Sequence, residues 1–414
     1  MWERGQKQET NTYLVSQPTD FEGGPGFGNR EPQDLPLTRW ILNRGYQLLY
    51  LDYRGTGLST PINTDALLQL GDSEAQADYL KLFRADSIVR DLEAVRKCLT
   101  AEFPEDRKKW SSFGQSYGGF VTLTYLSLYP QGLRECFMTG GLAPVRRPAE
   151  DVYRATFKKV VERNQAYYKK YPEDVERVHR LAKYIGKGIP LPGGGQLTVP
   201  RLLSMGLSFG AHGGLDSVHS IILKATADLD QFKFLTRASL LSIESQNPFD
   251  TNPIYAILHE SIYCYKPGIA SNWAAYNVGK DLEHFSWLAV DQDSSFTSSS
   301  SKAPLYFSGE MIFPFHFSTY PELAKIKEAA YTLAAFDEWD ILYDEEQLRR
   351  NEVPLYAASY VDDMYVDADL ARETAKIVRG TQVFETNSMY HNALRARSEE
   401  VLAQLFKLRD DTID

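Results

Sequence analysis

Gly114-Gln115-Ser116-Tyr117-Gly118-Gly119 lies between an apolar run that ends at Phe113 and a second apolar run over residues 120–129. The first run is short and reads as a strand, and the second reads as a helix stopped by Pro130. A Gly-x-Ser-x-Gly placed between strand and helix forces its serine onto a sharp turn, with the hydroxyl pushed out of the sheet. Glycine is expected at 114 and 118 because a Cβ there would collide with the neighbouring strand and helix. The stretch therefore predicts a nucleophile at Ser116 and a parallel sheet around it.

Outward from this turn, the pattern alternates. Residues 46–53 form a compact apolar run, read as a buried parallel strand, which breaks at Arg54-Gly55-Thr56-Gly57. Ile88, Val89, Leu92, Val95 and Leu99 recur at helical spacing and predict an amphipathic helix over 86–99. Strands are expected at 110–113 and 136–139. Strands alternating with helices imply right-handed crossovers in a parallel sheet. From about residue 146 to 343 the chain reads as mostly helical, with helices over 151–171 and 172–185. Two breaks interrupt it: a Pro/Gly-rich stretch at 189–198 and a Ser-rich one at 291–302, expected to be a mobile surface loop. Strand character returns at 353–358 and 382–385, around a helix over 368–378, and a final helix carries Val401, Leu402, Leu405 and Phe406. The expected division is a core over 1–145, a helical cap over 146–345, and the rest of the core over 346–414.

Composition limits the partners. The 414 residues exceed one ordinary core, and a net charge of −10 with no basic stretch argues against nucleic acid and anionic membranes. Cys98, Cys136 and Cys264 are too widely spaced for a disulfide framework or zinc site, so no metal or cofactor is expected. The first twenty residues hold no continuous apolar segment, and no later run is long enough to span a bilayer. A soluble cytoplasmic protein is expected.

A serine nucleophile needs an imidazole to take its proton and a carboxylate to orient that imidazole. His179, His212, His219, His259, His284 and His316 fall in the helical block, whereas His391 alone follows a late strand. The strand at 353–358 runs into Asp362-Asp363-Met364, which offers two adjacent acids; Asp363 is favoured, though position after a strand does not separate it from Asp362. Asp367 reads best as a helix N-cap. The developing oxyanion needs donors aimed at it, expected from the Tyr117 backbone N–H and the loop Gly23-Gly24-Pro25-Gly26, with Gly24 as the donor.

Gly23-Gly24-Pro25-Gly26, Asp52-Tyr53-Arg54-Gly55-Thr56-Gly57-Leu58-Ser59, the Ser116 turn and the Asp363/His391 tail together resemble the proline iminopeptidases, particularly their longer fungal-type members. The resemblance implies an α/β-hydrolase fold, a mostly parallel doubly wound sheet with a large, mainly helical cap inserted. It also implies a serine hydrolase that releases an N-terminal residue, typically proline, from peptides or amides through an acyl-enzyme. An acid followed by Met at the end of the late strand supports Asp363-Met364. Glu260 in His259-Glu260-Ser261 and Glu310 in Gly309-Glu310-Met311 match the cap glutamates that bind the substrate's free amino group. One departure stands out: only 22 residues precede the Gly-Gly-Pro-Gly loop, and 12–15 are separated from it by 16–20, which predicts a shortened or altered N-terminus, an incomplete sheet edge and a looser oxyanion loop. The competing readings are an esterase or other small-molecule hydrolase on the same triad, and a degenerate, non-catalytic member. An epoxide hydrolase or dehalogenase is disfavoured because those relatives carry aspartate at the position of Ser116.

Overall fold

The structure is a computed structural model that describes residues 12–16, 24–29, 33–289 and 303–411. Its main sheet holds β1 (Thr12–Ser16), β2 (Tyr46–Tyr50), β3 (Trp110–Gln115) and β4 (Leu133–Thr139), with a two-residue hairpin, β5 (Ile189–Pro190) and β6 (Gln196–Leu197), standing apart. β7 (Leu355–Tyr360) and β8 (Thr381–Thr386) complete the main sheet in the order β2-β1-β3-β4-β7-β8. Every pairing in it is parallel. The Ser-rich 291–302 stretch lies outside the described residues, as does Gly23.

The middle strands are the most deeply covered. Trp110, Phe113, Phe137 and Met138 are fully buried, as expected where helices cover both faces of a parallel sheet. β3 also carries Ser111 and Ser112 into this core, and both find partners: Ser111 Oγ donates to Glu135 Oε1 at 3.0 Å, and Ser112 pairs with the Thr122 hydroxyl at 2.9 Å. Those bonds remove the penalty of burying hydroxyls. The helix after the turn, Tyr117–Leu128, is apolar all round and buried through Ser127. Amphipathic helix Ala85–Leu99 packs against it.

β1 occupies an inner position, pairing with β2 on one side and β3 on the other. The run at 46–53 differs from its reading as a buried strand. Only 46–50 pair, and beyond Tyr46 they are half-buried, because β2 is the outermost described strand on that side.

Between β4 and β7 the described chain is helical apart from the small hairpin. Its long helices, Ala149–Lys170, Asp174–Ile185 and Gly214–Phe232, are followed by shorter pieces such as Pro253–Leu258 and Ala274–Gly279. Arg84 rivets this block to the sheet. It lies one residue before helix Ala85–Leu99, is buried, and donates to Cys264 O at 2.7 Å and Asp340 O at 2.8 Å while sitting 4.3 Å over the Trp339 ring.

Candidate active site

β3 delivers Ser116 directly into helix Tyr117–Leu128. Ser116 has φ 53° and ψ −122°, a conformation an L-residue holds only when its surroundings enforce it. Enforcement is visible on both sides, in Ser116 N–H donating to Thr139 O at 3.0 Å and Ser116 O accepting from Gly119 N–H at 2.8 Å. A Cβ on Gly114 would meet Gly118 O at 2.3 Å, and one on Gly119 would meet Gly141 O at 2.3 Å. Gly118 thus contributes as the wall that Gly114 presses on, and the third glycine, Gly119, is the one held against the neighbouring strand's loop.

That loop, Gly140-Gly141, links the serine turn to the other two candidates. A Cβ on Gly141 would lie 2.9 Å from Ser116 O, and one on Gly140 would lie 3.1 Å from His391 Nδ1 and 3.3 Å from Asp363 Oδ2. Gln115 adds a direct tie, its Nε2 donating to His391 O at 3.2 Å. Ser116, Asp363 and His391 are therefore brought to one place from the ends of β3, β7 and β8, and all three are buried.

Asp363 and His391 form a pair. His391 Nδ1 lies 2.7 Å from Asp363 Oδ2, and Asp363 Oδ1 accepts from Tyr365 N–H at 2.8 Å and Val366 N–H at 3.1 Å. Burial alone would lower the His391 pKa. The Asp363 carboxylate opposes this through charge and hydrogen bond, Glu310 adds to it, and His391 ends above the ordinary histidine value. His259 and His316 show the contrast: burial pushes them down to about 4 and about 3. Asp362 turns the other way, half-exposed, with Lys159 Nζ 3.4 Å from its carboxylate. Asp367 caps helix Ala368–Ile377, accepting from Asp369 and Leu370 N–H at 3.0 Å each.

The glycine loop lies beside the turn. Gly24, at φ 99°, would place a Cβ 3.6 Å from the Tyr117 ring, and Gly26, at φ 102°, would place one 2.9 Å from Tyr255 N. Asp52 anchors its far end by accepting from Asn29 N–H at 2.6 Å and Leu58 N–H at 2.8 Å. Gly57 makes room for that carboxylate, since a Cβ there would lie 2.0 Å from Asp52 Oδ2. Arg54 fixes the other arm of the motif with two 2.6 Å bonds to Asp91. The loop and its motif are thus tied to the sheet through Asp52 and Arg54, and the backbone of Tyr255 lies close to Gly26.

The two cap glutamates separate. Glu310 lines a small cleft together with Gln115, Asn247, Phe249, Tyr255, Tyr365 and His391, and accepts from Tyr255 Oη at 2.8 Å. Glu260 lines a different small cleft, with Ser271 and Trp273. Its two carboxylate oxygens accept from Ala274 N–H at 3.0 Å and Ala275 N–H at 2.9 Å, and burial raises its pKa to about 8. Of the two glutamates expected to face a substrate amine, Glu310 shares a cleft with His391, whereas Glu260 lines a separate cleft and accepts hydrogen bonds at the start of a helix. A wider cleft of about 540 Å³, lined by Arg54, Phe83 and Asp91 among others, shares no residue with the His391 cleft.

Four contributors went unread in the sequence: Gln115, Asn247, Tyr255 and Tyr365. Tyr365 lies edge-on to the His391 ring at 4.7 Å, and His212 reaches from the helical block to Asn392 Oδ1 through Nδ1 at 2.7 Å and its backbone N–H at 2.9 Å. Only Gln115 had a signal, being adjacent to Ser116. Among the described residues no cluster of His, Cys, Asp or Glu could hold a metal ion, and no helix is long and apolar enough to cross a membrane.

A parallel sheet that carries a serine turn, an acid and a histidine after three of its strands, in that chain order, defines an α/β-hydrolase of the serine class. The α/β hydrolase fold family model matches residues 26–184. A proline iminopeptidase from Aspergillus aculeatus is 42% identical over 394 residues, covering 95% of this chain and 85% of its own. Another, from Aeromonas sobria, is 42% identical over 394 residues, covering 94% of this chain and 87% of its own. The chain belongs to the proline iminopeptidase family, and it is a hydrolase. Among solved structures it overlaps loosely with MGS-M2, an α/β hydrolase from a Medee basin deep-sea metagenome library, at 10% identity and a TM-score of 0.38, covering 99% of this chain and 94% of that one.

Proposed function

We propose that the protein is a serine aminopeptidase that releases an N-terminal residue, proline foremost, from peptides or amides. Ser116 attacks the carbonyl carbon, His391 takes the hydroxyl proton and returns it to the leaving amine, and Asp363 holds His391 with Nδ1 protonated. The acyl-enzyme at Ser116 is then hydrolysed by water through the same histidine. Tyr117 N–H and the Gly24 backbone serve as oxyanion donors, a reading supported by the position of Gly24, where a Cβ would lie 3.6 Å from the Tyr117 ring. Asp363 is preferred to Asp362 because it makes the 2.7 Å contact with His391 while Asp362 faces Lys159.

The observation that carries the proposal is Glu310 in the same cleft as His391. A carboxylate there favours a substrate with a cationic amine next to the scissile carbonyl, and disfavours the esterase reading with a neutral substrate. Residues 146–345 act as the cap that supplies it. A cytoplasmic setting belongs to the same proposal, supported by the described cysteines, all three of which are free thiols. The test is hydrolysis of proline 4-nitroanilide and its N-acetyl derivative by wild type and Ser116→Ala. Turnover of the free amide alone, lost in Ser116→Ala, is expected. Equal turnover of free and blocked amides, or by the two proteins, would refute it.

A further inference from the structure

The cleft shared by Glu310 and His391 contains two buried amide side chains whose orientation is fixed by their donors. Asn247 is 4% exposed, and its Nδ2 donates to Ser204 O and Ser204 Oγ at 3.1 Å each. Gln115 is 6% exposed, and its Nε2 donates to His391 O at 3.2 Å. A carbonyl oxygen cannot donate, so in each case the NH₂ group must face the backbone and the amide oxygen must face away. Both of those oxygens, Asn247 Oδ1 and Gln115 Oε1, are buried without a hydrogen-bond partner.

Unpartnered buried acceptors are rare in folded proteins, and two in one cleft require an explanation. Asn247, Gln115 and Glu310 all line the cleft, so three acceptor-bearing side chains meet there, and Phe249, Tyr255 and Tyr365 supply aromatic surface around them. This lining suits a compact cation that carries more than one N–H. A protonated N-terminal amine has that chemistry: two N–H donors on a proline ring, three on a primary amine. It disfavours a carboxylate, and it leaves a neutral ring of the same shape with nothing to give the acceptors.

We infer that Asn247 is a specificity-determining residue whose Oδ1 accepts an N–H from the substrate's cationic amine, alongside Gln115 Oε1 and the Glu310 carboxylate. The inference rests on the aminopeptidase reading above, because it assumes that an amine enters this cleft. Gln115 also holds His391, so Asn247 is the residue on which the role can be tested in isolation.

The experiment compares two esters with acyl rings of one shape, proline methyl ester and cyclopentanecarboxylic acid methyl ester, on wild type, Asn247→Leu and Asn247→Asp. The readout is the ratio of kcat/KM for the two esters. Wild type should prefer the proline ester. Asn247→Leu should cut that preference by about tenfold, about 1.4 kcal/mol, chiefly through KM for the proline ester. Asn247→Asp keeps the oxygen and should retain the preference. A merely structural Asn247 would instead lose the Ser204 bond in both variants and slow both esters together. An unchanged ratio in Asn247→Leu, or an equal fall in both variants, would overturn the inference while leaving the aminopeptidase reading intact. Wild type with no preference between the esters would sink both.

Discussion

Gln115 donates from Nε2 to the backbone oxygen of His391 at 3.2 Å, so the residue preceding the candidate nucleophile also holds the candidate base. These residues are 276 positions apart in sequence. The bond, together with Gly140-Gly141 packed between the serine turn and the His391–Asp363 pair, ties the three strand ends closely together. Precise placement of this sort is what a proton transfer during attack requires.

The adjacent acids separate by partner. Asp363→Asn should lower kcat by about four orders of magnitude, because an amide no longer selects the His391 tautomer. Asp362→Asn should change kcat by less than about threefold, since it removes only a half-exposed ion pair with Lys159. Steady-state kinetics on proline 4-nitroanilide decide it, and the reverse ranking would reassign the acid.

The pH profile follows from the sign of the His391 shift. The base works when neutral, and its pKa lies above the ordinary 6.5, so kcat/KM should fall as pH drops through that raised value. Removing the Asp363 charge leaves burial, which opposes the imidazolium. The acid limb of residual activity in Asp363→Asn should therefore move to lower pH. For stability the same shift works as follows: the pair's contribution is full below the unfolded pKa and is lost as pH rises through the folded one. A limb that stayed in place would mean that another group controls it.

Glu310→Gln and Glu260→Gln should fail in different ways. The first should raise KM for free-amine substrates by about 10- to 100-fold, reflecting a charge-assisted contact. The second replaces an acceptor facing a backbone N–H with a donor, and should cost about 1–3 kcal/mol of stability while leaving the preference for an unblocked amine in place. Glu260 also gives a pH signature. Its folded pKa of about 8 exceeds the ordinary glutamate value of 4.5, so its contribution is full below 4.5 and is lost as pH rises to about 8. Thermal melts across this window should show a decline in wild type that Glu260→Gln lacks.

Asp52→Ala should lower kcat by about 10- to 100-fold with little change in KM, by releasing the far end of the Gly24–Asn29 loop from the candidate oxyanion hole. Fluorophosphonate labelling of Ser116 should slow in parallel. An unchanged kcat would show that the loop is held sufficiently from the Tyr255 side.

Gly119→Ala should destabilise the fold by about 1–3 kcal/mol or more, because its Cβ would lie 2.3 Å from the Gly141 carbonyl oxygen and both backbones are central. Denaturant melts measure this directly.

The sequence by itself determined the alternation of strands and helices, the serine turn at 114–119 and the order of acid and histidine after it. Those features are local: period, glycine and proline punctuation, and a strained turn are written in neighbouring residues. It also marked Asp367 as a cap, because capping acts over three residues. Spacing left Asp362 and Asp363 unseparated and only the family resemblance favoured Asp363; the tertiary structure adds the physical reason, since adjacent side chains differ in direction and Asp363 alone meets His391. It alone set Glu310 beside His391 and turned Glu260 onto Ala274 and Ala275, because both glutamates are equally acidic in sequence and their surroundings come from distant segments. The half-buried state of β2 and the placement of Asn247 and Tyr255 in the His391 cleft were likewise invisible, since sheet order and the packing of the helical block join residues that no local pattern relates.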